Sequence, residues 1–261
     1  MTLIDIGVNL TNKRLISDLQ AILNRATENG VEQMIVTGTS VEHSRLAIQL
    51  CEQFPEQLFS TCGIHPHDAR HWSADSMSEL EEMVIHNCVK AVGETGLDFN
   101  RNFSPQPVQV EVFQHQLEFA IAHGKPVFLH QRDAFDTFYT LLKEYRHQIK
   151  DVVVHCFTDN KKALFSLLDL DCHIGITGWI CDERRGRELQ TLVSSIPADR
   201  LMLETDAPYL LPRDLPHAPG GNLNLPEYLP HILHTVARCQ QKPPEQLAAE
   251  TLTTTRRFFD I

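Results

Sequence analysis

Four side chains able to hold a divalent cation fall at the ends of apolar runs: Glu94, His130, His155 and Asp206. Two imidazoles and two carboxylates make a ligand set for such an ion if the chain brings them to one place. Glu94 lies in Val92-Gly93-Glu94-Thr95-Gly96-Leu97-Asp98, where the apolar run 89–92 meets a carboxylate bracketed by glycines and followed by a second carboxylate. Glycine on either side removes bulk, so a ligand or ion can approach the backbone closely. Taken alone, the stretch also reads as a turn with a solvated Glu and Asp. A single His or Asp at a strand end has ordinary uses too, such as satisfying a backbone group or a helix N-terminus. The recurrence of four is what points to a metal. His65 and His67 flank Pro66 at the end of a further run, and His65 is expected to be the one that turns inward.

The elements that must position these groups follow from periodicity. Short apolar runs at 3–10, 33–36, 58–64, 89–92, 126–129, 152–154, 173–176 and 200–203 read as eight strands, and stretches with helical spacing separate them. The first helical pattern (Ile16, Leu19, Ile22, Leu23, Ala26) stops at Gly30, and Thr39 with Glu42 resembles a capping box for the next. A polar loop is expected over 98–107, followed by a helix with the stripe Val110, Phe113, Leu117 and Ile121, closed by Gly124. Asp133 is expected to open the helix after it, and a charged helix is expected over 182–192. Alternation without a composition break argues for one parallel α/β domain over residues 1–261. Eight is the strand number that closes a TIM-type (β/α)8 barrel, whose catalytic groups sit at the C-terminal strand ends. An open doubly wound sheet is the competing architecture, but its glycine-rich dinucleotide turn is missing after the first strand. Glu94, His130 and His155 are one strand-helix unit apart, and Asp206 follows two units later. On a barrel, that spacing turns all four toward one mouth. The segment 207–230 holds Pro208, Pro212, Pro216, Pro219, Pro226, Pro230 and the pair Gly220-Gly221. It reads as a stiff loop over the active face, with one C-terminal helix starting near Pro226.

Composition narrows the function. With 261 residues, 42% of them hydrophobic, the chain can build a substantial core. Seven cysteines, an odd number without a Cys-x-x-Cys pair, suggest neither a disulfide framework nor a cysteine zinc knuckle. Reduced thiols in a cytoplasm are the simplest reading. No leader pattern opens the chain, and no apolar run approaches the roughly 18 residues of a membrane span, so neither export nor membrane insertion is expected. The net charge of −11 opposes wholesale coating of a polyanion. A polyanion can still be handled at one local site where metal ions and arginines offset the acid.

Five motifs in order, Gly63-Ile64-His65-Pro66-His67, Gly93-Glu94-Thr95-Gly96-Leu97-Asp98, His130-Gln131-Arg132-Asp133-Ala134, His155-Cys156-Phe157-Thr158 and Glu204-Thr205-Asp206-Ala207-Pro208-Tyr209-Leu210, resemble the TatD family of metal-dependent deoxyribonucleases. The resemblance spans nearly the whole chain. It implies an amidohydrolase-like barrel that hydrolyses DNA phosphodiesters with a divalent metal, held here by Glu94, His130, His155 and Asp206. The chain departs from the family at Asp5-Ile6-Gly7-Val8-Asn9-Leu10, where Asp-x-His-x-His-Leu is common, so both strand-one histidine ligands are replaced. The same start marks a subgroup of the family. Asn9 offers an amide oxygen instead, which favours Mg2+, with Mn2+ or Zn2+ as alternatives. Asp159 replaces a common glycine, and Leu223-Asn224-Leu225-Pro226 replaces a common Arg-Asn-x-Pro, which removes a phosphate contact.

The resulting expectation is a 3′-to-5′ exonuclease on single-stranded DNA ends, with RNA as a second substrate, working as a monomer in DNA repair or degradation. Glu94 and Asp206 would serve both as ligands and in catalysis, with Asp206 taking a proton or holding a second ion. His65 and Arg132 would meet the charge on phosphate, Arg132 through a bidentate fork unless it pairs with Asp133 or Asp98. Trp179 and Phe99 are candidates to stack on an unpaired base. Two alternatives stay open: a hydrolase of small amides or phosphoesters on the same barrel, and a binding barrel that lost its chemistry with the strand-one histidines.

Overall fold

The protein is described from a computed structural model that covers residues 1–216 and 221–261. Strand β1 (Leu3–Val8) is followed by helices α1 (Lys13–Ile16) and α2 (Leu19–Glu28), β2 (Val31–Val36) by α3 (Val41–Gln53), and β3 (Leu58–Cys62) by α4 (Ala74–Val84). Strand β4 (Val89–Asp98) leads to α5 (Gln106–Ala122), β5 (Val127–Arg132) to α6 (Phe135–Tyr145), and β6 (Val152–Val154) to α7 (Lys161–Asp169). Strand β7 (His173–Ile176) precedes α8 (Arg187–Leu192), and β8 (Leu201–Leu203) precedes α9 (Leu229–Gln240) and α10 (Pro244–Phe259). The strands form one eight-stranded sheet in the order β1 to β8, with parallel neighbours, which is the α/β topology of the (β/α)8 class.

The chain resolves into two compact units. The first comprises Met1–Val36, Cys156–Leu164 and His173–Ile261. In it β1 pairs with β2 and β7 with β8, and the segment after β8 bonds back to β1 through Asp206 N–H to Gly7 O and Asn9 N–H to Ala207 O, both 2.8 Å. Its core is apolar, with Ile6, Met34, Ile176, Met202 and Phe258 fully or almost fully buried. The second unit comprises Thr37–His155 and Phe165–Cys172 and pairs β3 through β6 in sequence. Phe113 of α5 stacks on Phe138 of α6 at 5.3 Å, both fully buried. Burying side chains of this size contributes about 1.5–3 kcal/mol each.

Several boundaries differ from the sequence expectation, each for a local reason. Strand β4 runs on to Asp98 and β5 to Arg132. The apolar signal stops at Val92 and Leu129, but ladder pairing continues from Thr95↔Leu129 to Asp98↔Arg132. Glu94 and His130 are therefore inside strands rather than at their tips. The cap of α3 is Ser40, whose hydroxyl accepts from the His43 N–H, not Thr39. Asp133 has φ of +52° and caps nothing; helix α6 starts after Ala134, and the Asp133 carboxylate accepts from Asn100 Nδ2 at 2.6 Å. Asp182 ends a short 3-10 turn, Gly178–Cys181, so the expected charged helix is only Arg187–Leu192. After Pro226 come a 3-10 turn and two helices, not one, because Pro243 lies between them. Of the proline-rich segment, Pro219 and Gly220 lie outside the described residues.

Candidate metal centre

Everything in the second unit's polar cluster turns on Glu94, whose side chain is 6% exposed. Its Oε1 faces three imidazole nitrogens: His155 Nε2 at 2.8 Å, His130 Nδ1 at 3.0 Å and His65 Nε2 at 3.2 Å. Beside it, Asp98 Oδ2 faces His67 Nε2 at 2.7 Å and His130 Nε2 at 3.6 Å, while Asp98 Oδ1 accepts from the N–H groups of Asn100 and Arg101. Adjacent strands supply the set: β4 gives both carboxylates, β5 gives His130, His155 follows β6, and the loop after β3 gives His65 and His67.

The glycines around Glu94 serve the neighbouring strand, not an approaching ligand. A Cβ on Gly93 would lie 2.2 Å from Phe128 O, and one on Gly96 would lie 1.9 Å from His130 O; both residues have φ near +140° (+146° and +139°). Strand β5 can draw close enough to present His130 only because those side chains are missing. Helix α5 then locks the strand from outside with two buried glutamines. The Gln116 oxygen accepts from Ile64 N–H at 2.7 Å, and its amide donates to Ile64 O and to the Thr95 hydroxyl at 2.9 and 2.6 Å. Gln109 treats Asp98 alike, accepting from its N–H at 2.8 Å and donating to its carbonyl at 3.1 Å. The apolar stripe expected on α5 is thus partly polar: Gln109 and Gln116 are buried, and Val110 and Ile121 only half-buried.

Protonation follows from these contacts. The backbone N–H of His67 donates to His65 Nδ1 at 3.1 Å, which leaves Nε2 to carry the proton of a neutral ring and donate toward Glu94. Burial lowers the His65 pKa to about 4 despite the nearby Glu94, so the ring is neutral at pH 7. For Glu94, burial favours the protonated form, but His155, His65 and His130 overcome it and hold the carboxyl well below the usual range. Burial likewise opposes charge on His130, yet Asp98 and Glu94 raise its pKa. Asp98, opposed by burial, is lowered by His130, His67 and the Arg101 N–H.

A divalent ion suits this arrangement. Glu94 Oε1 lies 2.8 Å from His155 Nε2 and 3.0 Å from His130 Nδ1, and His130 Nε2 is buried without a hydrogen-bond partner among the described residues. Imidazole nitrogens with carboxylate oxygens form a donor set for transition ions such as Mn2+ or Zn2+ as well as for harder cations. The sequence points to Asp98 and His67 only as neighbours of Glu94 and His65, without a role at the metal. The available signal was the four-residue spacing of Glu94 and Asp98, an even spacing that returns side chains to one face of a strand.

The remaining expected residues have their own surroundings within each unit. Arg132 is the half-buried last residue of β5. Asp206, in the first unit, has φ of +57°, and its Oδ1 accepts from Asn9 Nδ2 at 3.0 Å. Asn9 therefore turns its amide nitrogen, not its oxygen, toward that carboxylate. Glu204 is fully buried and accepts from the Cys156 N–H at 2.5 Å. Trp179 lies under the Arg185 guanidinium, 4.1 Å from the ring centre, and Phe99 is half-buried.

Comparison with known proteins shows the family. A family model described as TatD related DNase matches residues 4–260. A Pectobacterium parmentieri protein named 3′-5′ ssDNA/RNA exonuclease TatD is 46% identical over 257 residues, covering 98% of this chain and 99% of that one. A Salmonella typhimurium protein of the same name is 43% identical over 257 residues, covering 98% of each chain. Among solved structures, the TatD homologue YjjV of Escherichia coli K12 is similar with a TM-score of 0.91 and 27% identity, covering 99% of this chain and 98% of that one. A TatD family hydrolase from Entamoeba histolytica reaches the same TM-score at 23% identity over the same shares of each chain, a likeness of fold. The match over nearly the full length, together with the Glu94 cluster, establishes that the chain belongs to the TatD-related DNase family.

Proposed function

We propose that this chain is a metal-dependent nuclease that shortens single-stranded DNA, and RNA, from the 3′ end. One observation carries the proposal: a single buried carboxylate oxygen of Glu94 faces three imidazole nitrogens from neighbouring strands. Relatives 43–46% identical over 98–99% of their length bear the name of a 3′-5′ ssDNA/RNA exonuclease, which supports the substrate and polarity.

Glu94, His130 and His155 would hold the divalent ion. When bound, such an ion polarises a phosphoryl oxygen and makes a water acidic enough to act as nucleophile near neutral pH. His65 stays neutral, and its Nε2–H, released from Glu94 when that carboxylate holds the ion, would donate to a phosphate oxygen as negative charge builds there. Asp98 holds the His67 ring at 2.7 Å and fixes the orientation of that wall of the site. Asp206 accepts a proton from the attacking water, and Arg132 grips phosphate with its planar fork; both roles rest on the strand-end spacing and on family membership. Mg2+ is the ion expected from sequence, whereas the imidazole-rich surroundings of Glu94 favour Mn2+ or Zn2+.

Digestion of 5′-labelled single-stranded DNA with each ion tests the reading. A ladder shortening from the 3′ end, abolished by chelator and by a blocked 3′ end, is expected. Cleavage of small esters or amides with intact oligonucleotides would favour the small-substrate alternative instead. We also propose a cytoplasmic monomer that acts in DNA repair or degradation. The seven cysteines are all free thiols, as in a reducing compartment, and no helix among the described residues is long and apolar enough to cross a membrane.

A further inference from the structure

Within the first unit, three side chains that the nuclease reading leaves unused converge from three separate segments. Cys181 ends the 3-10 turn after β7, Asp214 lies on the segment after β8, and His231 is in the first turn of α9. The Cys181 Sγ, an Asp214 carboxylate oxygen and a His231 ring nitrogen all lie within 4.8 Å of one another. His231 Nε2 is 2.6 Å from Asp214 Oδ1, and the Cys181 thiol donates to Thr235 Oγ1, one helical turn beyond His231, at 3.5 Å.

We propose that Cys181, Asp214 and His231 form a second metal site, distinct in its residues from the Glu94 cluster and selective for a thiophilic ion such as Zn2+ or Co2+. A thiolate, an imidazole and a carboxylate are three of the ligand types such ions take, and three protein ligands leave a fourth position for water or an exogenous group. Mg2+ and Ca2+ prefer all-oxygen surroundings and are disfavoured by the sulfur. On binding, the Cys181 thiol releases its proton to solvent as the S–metal bond forms, and the proton between His231 Nε2 and Asp214 Oδ1 moves to the other ring nitrogen or to solvent as the ion replaces that hydrogen bond. Access is open from one side: Cys181 is buried, but the side chains of Asp214 and His231 are 43% and 24% exposed. The turn carrying Cys181 already approaches the segment after β8 closely, since a Cβ on Gly178 would meet Leu210 O at 2.2 Å. A bound ion would therefore clamp both the segment after β8 and the start of α9 onto that turn.

Co2+ titration of the reduced, metal-free full-length protein tests this, because only a thiolate ligand gives an intense near-ultraviolet sulfur-to-Co2+ charge-transfer band. The band is expected in the wild-type protein, to persist in Glu94→Ala and saturate there at one equivalent, and to vanish in Cys181→Ser. Asp214→Asn, at a half-exposed position where misfolding is not expected, should weaken Co2+ binding by about tenfold or more while the band remains. No thiolate band in the wild-type protein would overturn the site. So would a band that survives Cys181→Ser, or an unchanged affinity in Asp214→Asn.

Discussion

At the scale of single residues, the cluster assigns different jobs to chemically identical imidazoles. His65 receives an N–H on Nδ1, which leaves the proton of its neutral ring on Nε2 and sets that nitrogen as a donor. His65→Ala should therefore lower kcat by about 10²-fold with metal affinity unchanged, as for loss of one donor to a developing negative charge. His130→Ala, by contrast, should weaken metal binding by about 10- to 100-fold or more in a calorimetric titration. Equal losses of affinity in both variants would refute the division. Asp5 permits a test of pH dependence. Buried under β8, its carboxyl is pushed up from 3.8 to about 7 by burial, against hydrogen bonds from Thr205 and Gly7. The folded chain thus holds this proton more tightly than the unfolded chain, so its stabilising contribution is complete below pH 3.8 and is lost as pH rises through 7. Chemical unfolding between pH 5 and 8 should show a downward slope that Asp5→Asn flattens; parallel slopes would contradict it. Much of this was legible in sequence, because Glu94, His65, His130 and His155 are rare polar groups at the ends of apolar runs. The role of the glycines was not. It depends on how closely β5 approaches, a distance that no periodicity encodes.

At the scale of elements, the site depends on close strand contact and on helix α5. Gly96→Ala places a Cβ against the His130 carbonyl in a backbone region that side chains avoid, and should destabilise the fold by about 2–4 kcal/mol. Gly124→Ala also has positive φ but meets nothing within 4 Å, so about 1 kcal/mol is expected there. Denaturant midpoints distinguish these outcomes, and equal losses would contradict the contact explanation. Gln116→Leu strips partners from Ile64 and Thr95, the neighbours of His65 and Glu94, and should cost about 1–3 kcal/mol for each buried group left unsatisfied, with activity falling in parallel. The eight strands could be read from their apolar runs. The ends of β4 and β5 could not, because their last residues are polar and are kept in the ladder by neighbours and buried glutamines. For the same reason, α5 showed only part of its buried face.

At the scale of the whole molecule, the chain passes between its two units at residues 36/37, 155/156, 164/165 and 172/173, so neither unit is a continuous segment able to fold as its own stretch of chain. One calorimetric unfolding transition, with calorimetric and van't Hoff enthalpies equal, is expected for the single domain read from sequence; two separated transitions would contradict it. The net charge of −11 means that nucleic acid has to be drawn to a local centre rather than to the general surface. That places the weight of the account on Glu94, and the most direct test combines metal content with turnover in Glu94→Ala. The variant, folded by circular dichroism, is expected to retain less metal after dialysis and to degrade 5′-labelled single-stranded DNA at least about 10³-fold more slowly than the wild type. Wild-type turnover in Glu94→Ala, at any metal content, would contradict it.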